Sequence, residues 1–122
     1  AVPVLQKLVE HGHKLILFTM RANREKQNPT NDPTILDVTG TFLDDAVNWF
    51  RKNNIPLYGI QKNPTQQNWT TSPKCYAELY IDDVALGCPL IFNYIVSKRP
   101  FVDWDKIERI LESKGLFDLQ IK

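Results

Sequence analysis

Three kinds of chemically useful side chain stand next to short apolar runs in this sequence. Thr19 closes the run Leu15-Ile16-Leu17-Phe18, Lys74 follows Ser72-Pro73 just ahead of Leu79-Tyr80-Ile81, and Asp82-Asp83 end that last run. A hydroxyl, an ammonium and a pair of carboxylates on one edge of a sheet are the parts needed to hold a phosphoryl group. The hydroxyl donates to a phosphoryl oxygen and the lysine offsets developing negative charge. The acidic pair suits Mg²⁺, a hard cation that prefers carboxylate oxygens and water. Two adjacent carboxylates repel each other, and a bound cation relieves that cost. Taken singly the groups are ordinary. Thr19 alone is a strand-end hydroxyl, Lys74 alone a surface lysine, and Asp82-Asp83 alone serve a helix N-terminus as readily as a metal.

The elements that must position these groups follow from apolar spacing. Val4, Leu5, Leu8 and Val9 recur at helical intervals, with Gly12 as the stop. Lys14 to Thr19 is an almost unbroken apolar run, as expected of a strand covered on both faces. Ala22 to Gly40 is a long polar loop carrying Pro29 and Pro33. A helix opens at Thr41, where Thr41 and Asp44 have the spacing of a capping box, and buries Leu43, Ala46, Val47 and Phe50. Asn53-Asn54 and Pro56 end it. Leu57 to Ile60 is a second strand, Gln61 to Ser72 a second loop, Pro73 to Tyr76 a brief helical turn, and Leu79 to Ile81 a third strand. A last helix runs from Trp104 to Ser113, capped by Asp103, stopped by Gly115, with Trp104, Ile107, Ile110 and Leu111 inward. Trp49 and Trp104 sit in amphipathic helices as packing residues, while Trp69 lies in the second loop, within reach of a ligand at the strand ends. Strands alternating with helices imply an α/β fold with a doubly wound parallel sheet and helices on both faces. In such sheets ligands bind beyond the carboxyl ends of the strands.

The bulk composition narrows the class. At 122 residues, 43% hydrophobic and 24% charged, the chain suits a single globular domain able to bury a core without staples. Fifteen basic against fourteen acidic residues leave a formal net charge of +1. No long basic run breaks that balance, which argues against a nucleic-acid or membrane partner. Cys75 and Cys88 fit no metal-binding spacing with each other or with His11 and His13. They read as free thiols in a reducing compartment, with the cytoplasm as the expected location. No signal peptide is expected and no apolar run in these residues is long enough to span a membrane, so Asn68-Trp69-Thr70 is expected to be a chance glycosylation match.

Read together, the quoted segments resemble the haloacid dehalogenase superfamily. Leu15-Ile16-Leu17-Phe18-Thr19 resembles its motif II, Lys74 in Ser72-Pro73-Lys74-Cys75-Tyr76-Ala77 its motif III lysine, and Tyr80-Ile81-Asp82-Asp83 its motif IV. The likeness covers residues 1 to about 90 and is closest to small, minimally capped bacterial and phage members. In these, stretches like Leu43-Asp44-Asp45-Ala46-Val47-Asn48-Trp49-Phe50 and Ile55-Pro56-Leu57-Tyr58-Gly59-Ile60 also recur. The resemblance implies one hydrolase domain over residues 1–122, with 22–40 as a loop insertion. It implies a Mg²⁺-dependent phosphohydrolase acting on a small phosphorylated substrate. Thr19 and Lys74 would be catalytic and Asp82 and Asp83 would hold the metal. Turnover in that family runs through an aspartyl-phosphate, a case of carboxylate nucleophilic catalysis. The nucleophile belongs to Asp-x-Asp-x-Thr, on a central strand ahead of the first helix seen here. That strand is absent from these residues, and the nucleophile is expected upstream of Ala1.

One segment imitates the missing motif. Asp37-Val38-Thr39-Gly40-Thr41 resembles the form used by the cation-pump branch, but only Ile35 and Leu36 precede Asp37, too few for a buried central strand. It also follows the Thr19 strand, whereas the nucleophile strand should precede it. A loop exit and helix cap explain the segment better. The alternative to an enzyme is a catalytically inactive binding or regulatory module on the same scaffold. A phospho-receiver domain is set aside, since receivers carry the acidic pair on the first strand and the lysine last.

Overall fold

The computed structural model describes residues 1–19, 23–24 and 40–118. Asp37 and most of the 22–40 loop lie outside the described residues. The chain divides into two compact units, one made of residues 1–14 with the segment from Tyr76 onward, the other of residues 15–75.

The first unit is built on two helices. Helix α1, Val2–Glu10, carries Pro3 in its first turn, where the missing N–H is no loss. Its Val4, Leu5 and Leu8 are buried. In the same unit a later helix, Trp104–Ser113, buries Ile107 and Leu111. Its N-cap is Asp103, whose side chain accepts from the Lys106 N–H at 3.2 Å, as the sequence suggested. Ile110 departs from expectation: it is 40% exposed. Three groups tie the helices together. Lys7 lies 3.7 Å from Glu108 and 4.3 Å above the Phe117 ring, which His11 meets edge-on at 5.5 Å. His13 Nε2–H donates to the Leu116 carbonyl at 2.6 Å, and His11 Nδ1–H to the Lys7 carbonyl at 2.8 Å. Both histidines are therefore structural donors at a helix end. Replacing Phe117 with Ala removes the cation–π and edge contacts together. We expect it to cost about 1–2 kcal/mol in urea denaturation.

The second unit contains β1, Ile16–Leu17, then the backbone pair β2, Asn23–Arg24, and β3, Gly40–Thr41, then α2, Phe42–Lys52, and β4, Gly59–Ile60. Strands β2 and β3 are antiparallel, with Asn23 opposite Thr41. Strands β1 and β4 are parallel, Ile16 opposite Gly59 and Leu17 opposite Ile60. A parallel pair needs a crossover, and α2 is part of the connection. At the α2 N-terminus the expected capping box is not made. The Thr41 hydroxyl instead donates to Asp45 at 3.3 Å. Leu43, Ala46, Val47 and Phe50 are only half-buried, and Trp49 is 40% exposed rather than packed away.

The three α-helices among the described residues end alike. After α1 the His13 N–H reaches the Leu8 carbonyl and the Gly12 N–H the Val9 carbonyl, both at 3.0 Å, with Gly12 at φ +86°. The last helix repeats the pattern through Leu116 to Leu111 at 3.1 Å and Gly115 to Glu112 at 3.0 Å. After α2, Ile55 reaches Phe50 at 2.9 Å and Asn54 reaches Arg51 at 3.1 Å. There Asn54 takes the left-handed position, at φ +55°. This pair of hydrogen bonds satisfies carbonyls that a helix end otherwise orphans, and glycine or asparagine supplies the required backbone.

Two readings of strand structure need correction. Leu79, Tyr80 and Ile81 lie outside every strand among the described residues. Leu79 and Tyr80 are more than 40% exposed, so their apolar run has no covered sheet face to join. Conversely, β5, Leu90–Ile91, and β6, Phe101–Val102, pair antiparallel in the first unit and lead into the last helix, now labelled α3. The expected helical turn at Pro73–Tyr76 is also absent. A single 3₁₀ turn at Gln66–Asn68 stands in the second loop instead. Among the described residues there is thus one parallel pair and no doubly wound sheet. No helix among them is long and apolar enough to cross a membrane.

Candidate functional site

Thr19 stands two residues past the end of β1, half-buried. Its backbone is held by a residue 42 positions away. The Thr19 N–H donates to Gln61 Oε1 at 2.9 Å, and Gln61 Nε2–H donates to the Thr19 carbonyl at 2.6 Å. Gln61 itself lies just past β4 with φ +65°, so the chain leaves the ladder there and folds back. Gly59 makes that return possible. A Cβ at Gly59 would run into the backbone carbonyl oxygen of Lys62 and sit 3.1 Å from Pro64 Cδ. Gly59→Ala must shift backbone, and we expect it to lower unfolding free energy by about 1–3 kcal/mol. Urea titration reads this directly, and an unchanged midpoint would contradict the close approach.

The loop that follows β4 is organised by side chains bonding to backbone. Asn63 Oδ1 accepts from the Thr65 N–H at 3.0 Å and from its hydroxyl at 2.8 Å, opening the 3₁₀ turn. Gln66 is a buried polar residue of this unit, 8% exposed. Its Nε2 donates to the Ser72 carbonyl at 3.2 Å and to the Lys74 carbonyl at 2.5 Å. The Lys74 N–H in turn donates to Ser72 Oγ at 3.3 Å. Lys74 is therefore anchored through its backbone on both sides while its side chain is exposed. Cys75 beside it is buried, and both cysteines are free thiols.

An open cleft of about 550 Å³ lies along this loop, lined among others by Gln61, Lys62, Gln66, Thr71 and Ser72. Its walls mix amides, hydroxyls and one ammonium with the apolar faces of Pro64, Pro73 and Cys75. Thr19 and Lys74 do not line it themselves. Each is bonded to a glutamine that does. Trp69 is 58% exposed on the same loop. Sequence reasoning missed Gln66 altogether and noted Gln61 only by position. A glutamine carries no local signature of the distant carbonyl it will serve.

Asp82 and Asp83 belong to the other unit and are exposed. Asp82 Oδ1 accepts from the Val84 N–H at 3.0 Å, and its carbonyl accepts from the Ala85 N–H at 3.0 Å. This is an Asx-turn. No helix starts there, so the pair is not a helix cap. Among the described residues no cluster of three or more His, Cys, Asp or Glu gathers around a common point. Mg²⁺ does not require one, since it binds through one or two carboxylates and keeps water and substrate phosphate in its other positions. An exposed carboxylate that spends one lone pair on a turn retains others for a cation, so the donor set of Asp82 and Asp83 fits Mg²⁺.

No family model, curated protein or solved structure matches the chain.

Proposed function

We propose that the chain is part of a Mg²⁺-dependent phosphohydrolase of the haloacid dehalogenase type, built on a doubly wound α/β scaffold and working in the cytoplasm on a small phosphorylated substrate. The observation that supports it best is the parallel β1–β4 pair with α2 in its connection. Thr19 lies just beyond the carboxyl end of β1, where ligands of open α/β sheets bind. In this reading the Thr19 hydroxyl donates to a phosphoryl oxygen, and Lys74, held at its backbone by Gln66, offsets its charge. Asp82 and Asp83 would hold Mg²⁺ through their carboxylate oxygens. The two free thiols agree with a reducing compartment.

The metal assignment is tested by titrating Mg²⁺ into wild type, Asp82→Asn and Asp83→Asn by calorimetry, with inorganic phosphate present. An asparagine Oδ1 can still accept from the Val84 N–H, so Asp82→Asn removes charge and keeps the turn. We expect Asp82→Asn to weaken Mg²⁺ by about tenfold or more, roughly 1.4 kcal/mol, and Asp83→Asn by less. Equal affinity in wild type and Asp82→Asn would overturn the assignment.

A further inference from the structure

We propose that Gln61 is a positioning residue for Thr19, its side-chain amide standing in for the ladder rung that the backbone abandons. The inference rests on the reading of Thr19 as a phosphoryl-binding hydroxyl. Strands β1 and β4 run in parallel as far as the bond from the Gln61 N–H to the Leu17 carbonyl, 2.7 Å. In a parallel ladder of this register the next rung would join the Thr19 N–H to the carbonyl of Gln61 and the Thr19 carbonyl to the N–H of Asn63. With φ at +65° the chain turns away at Gln61, and that rung is not made by backbone.

Both bonds are nevertheless present, supplied by one side chain. Oε1 takes the place of the missing carbonyl at 2.9 Å, and Nε2 the place of the missing N–H at 2.6 Å. The amide has only one usable orientation, because a peptide N–H only donates and a peptide carbonyl only accepts. A left-handed backbone is ordinarily given to glycine or asparagine. Glycine would offer no amide, and asparagine is one methylene shorter. A glutamine in this strained position points to use of its side chain. The consequence reaches the hydroxyl. Threonine is β-branched and stiff at χ1, so fixing its backbone confines Oγ1 to few directions. Gln61 thus turns a strand end that would fray into a fixed platform for Thr19, and from its own position it also lines the cleft.

The test uses the ¹⁵N-labelled 122-residue chain and two readouts. Amide hydrogen exchange is measured at Thr19 and at Gln61, whose own N–H reports the β1–β4 ladder. Inorganic phosphate with Mg²⁺ is titrated while the Thr19 amide shift is followed. Gln61→Met keeps size and removes both bonds, so the Thr19 amide should exchange about tenfold faster or more while the Gln61 position stays protected. Gln61→Glu keeps the acceptor for the Thr19 N–H but sets a second oxygen against the Thr19 carbonyl, so it should restore protection only in part. In Gln61→Met the phosphate titration should shift to about tenfold weaker binding. Unchanged Thr19 exchange in Gln61→Met overturns the proposal. So does loss of protection at both positions, which would make Gln61 a general structural residue. If wild-type Thr19 does not respond to phosphate, the phosphohydrolase reading falls, while the exchange comparison still decides whether Gln61 holds Thr19.

Discussion

The 122-residue chain should hydrolyse no aryl phosphate above background, whereas a chain extended at its amino end by a strand carrying Asp-x-Asp-x-Thr should be faster by about 10⁴-fold or more. The expectation follows from what the residues present can do. In the proposed reaction Thr19 donates to a phosphoryl oxygen and Lys74 offsets charge, and neither role is that of the nucleophile. Groups that act as a unit lose nearly all their effect when the nucleophile is gone. Phosphate and Mg²⁺ binding should survive in the short chain, weakly, since both are attributed to side chains it contains. Lys74→Ala in the longer chain is the internal control and should lower turnover by about 10²–10³-fold. Activity in the short chain that disappears in Asp37→Asn would revive the segment Asp37-Val38-Thr39-Gly40-Thr41 and overturn the assignment. A longer chain that stays inactive across a panel of phosphate esters would favour the binding module over the enzyme.

What the sequence reveals about this protein divides along the range of the interactions involved. The three helices and their ends are legible because the signals are local. Gly12, Gly115 and Asn54 each sit where a helix must accept a left-handed residue, and Asp103 caps α3 from one residue away. The parallel pair is legible because Ile16-Leu17 and Gly59-Ile60 lie inside short apolar runs separated by a helical stretch. Leu79-Tyr80-Ile81 has the same apolar signal, yet a strand exists only with a neighbour, and apolar character cannot say whether one is present. The β5–β6 pair fails the other way. Two residues opposite two others, Leu90 against Val102 and Ile91 against Phe101, carry no alternation to read. In the candidate site, Thr19 and Lys74 stand out in the sequence by residue type and by the apolar runs beside them. The glutamines that hold them were not, because each acts through a carbonyl or N–H that only the folded chain brings near. Asp82 and Asp83 read equally as cap or metal pair, and the turn at Val84, with no helix starting there, removes only the cap.

Leu111→Ala should be the most damaging conservative truncation in the unit built on α1 and α3, costing about 3–5 kcal/mol. Leu111 is 2% exposed and is the largest side chain fully buried among the described residues. It also accepts the Leu116 N–H at 3.1 Å through its carbonyl, but alanine keeps that backbone bond, so the loss measures packing alone. Few residues share the burden. Among the described residues the buried apolar set of this unit is Val4, Leu5, Leu8, Ile107 and Leu111, too small for neighbours to collapse readily into a void. The adjacent residue gives the control. Helical spacing placed Ile110 on the inner face with Leu111, yet Ile110 is 40% exposed. Ile110→Ala should therefore cost less than about 1 kcal/mol, the usual range for a substitution away from the core. Urea denaturation followed through Trp104, with Trp49 and Trp69 replaced by Phe, separates the two variants. Equal losses in both would mean that α3 buries a broader stripe than Ile107 and Leu111, and that the face assigned to solvent is covered in solution.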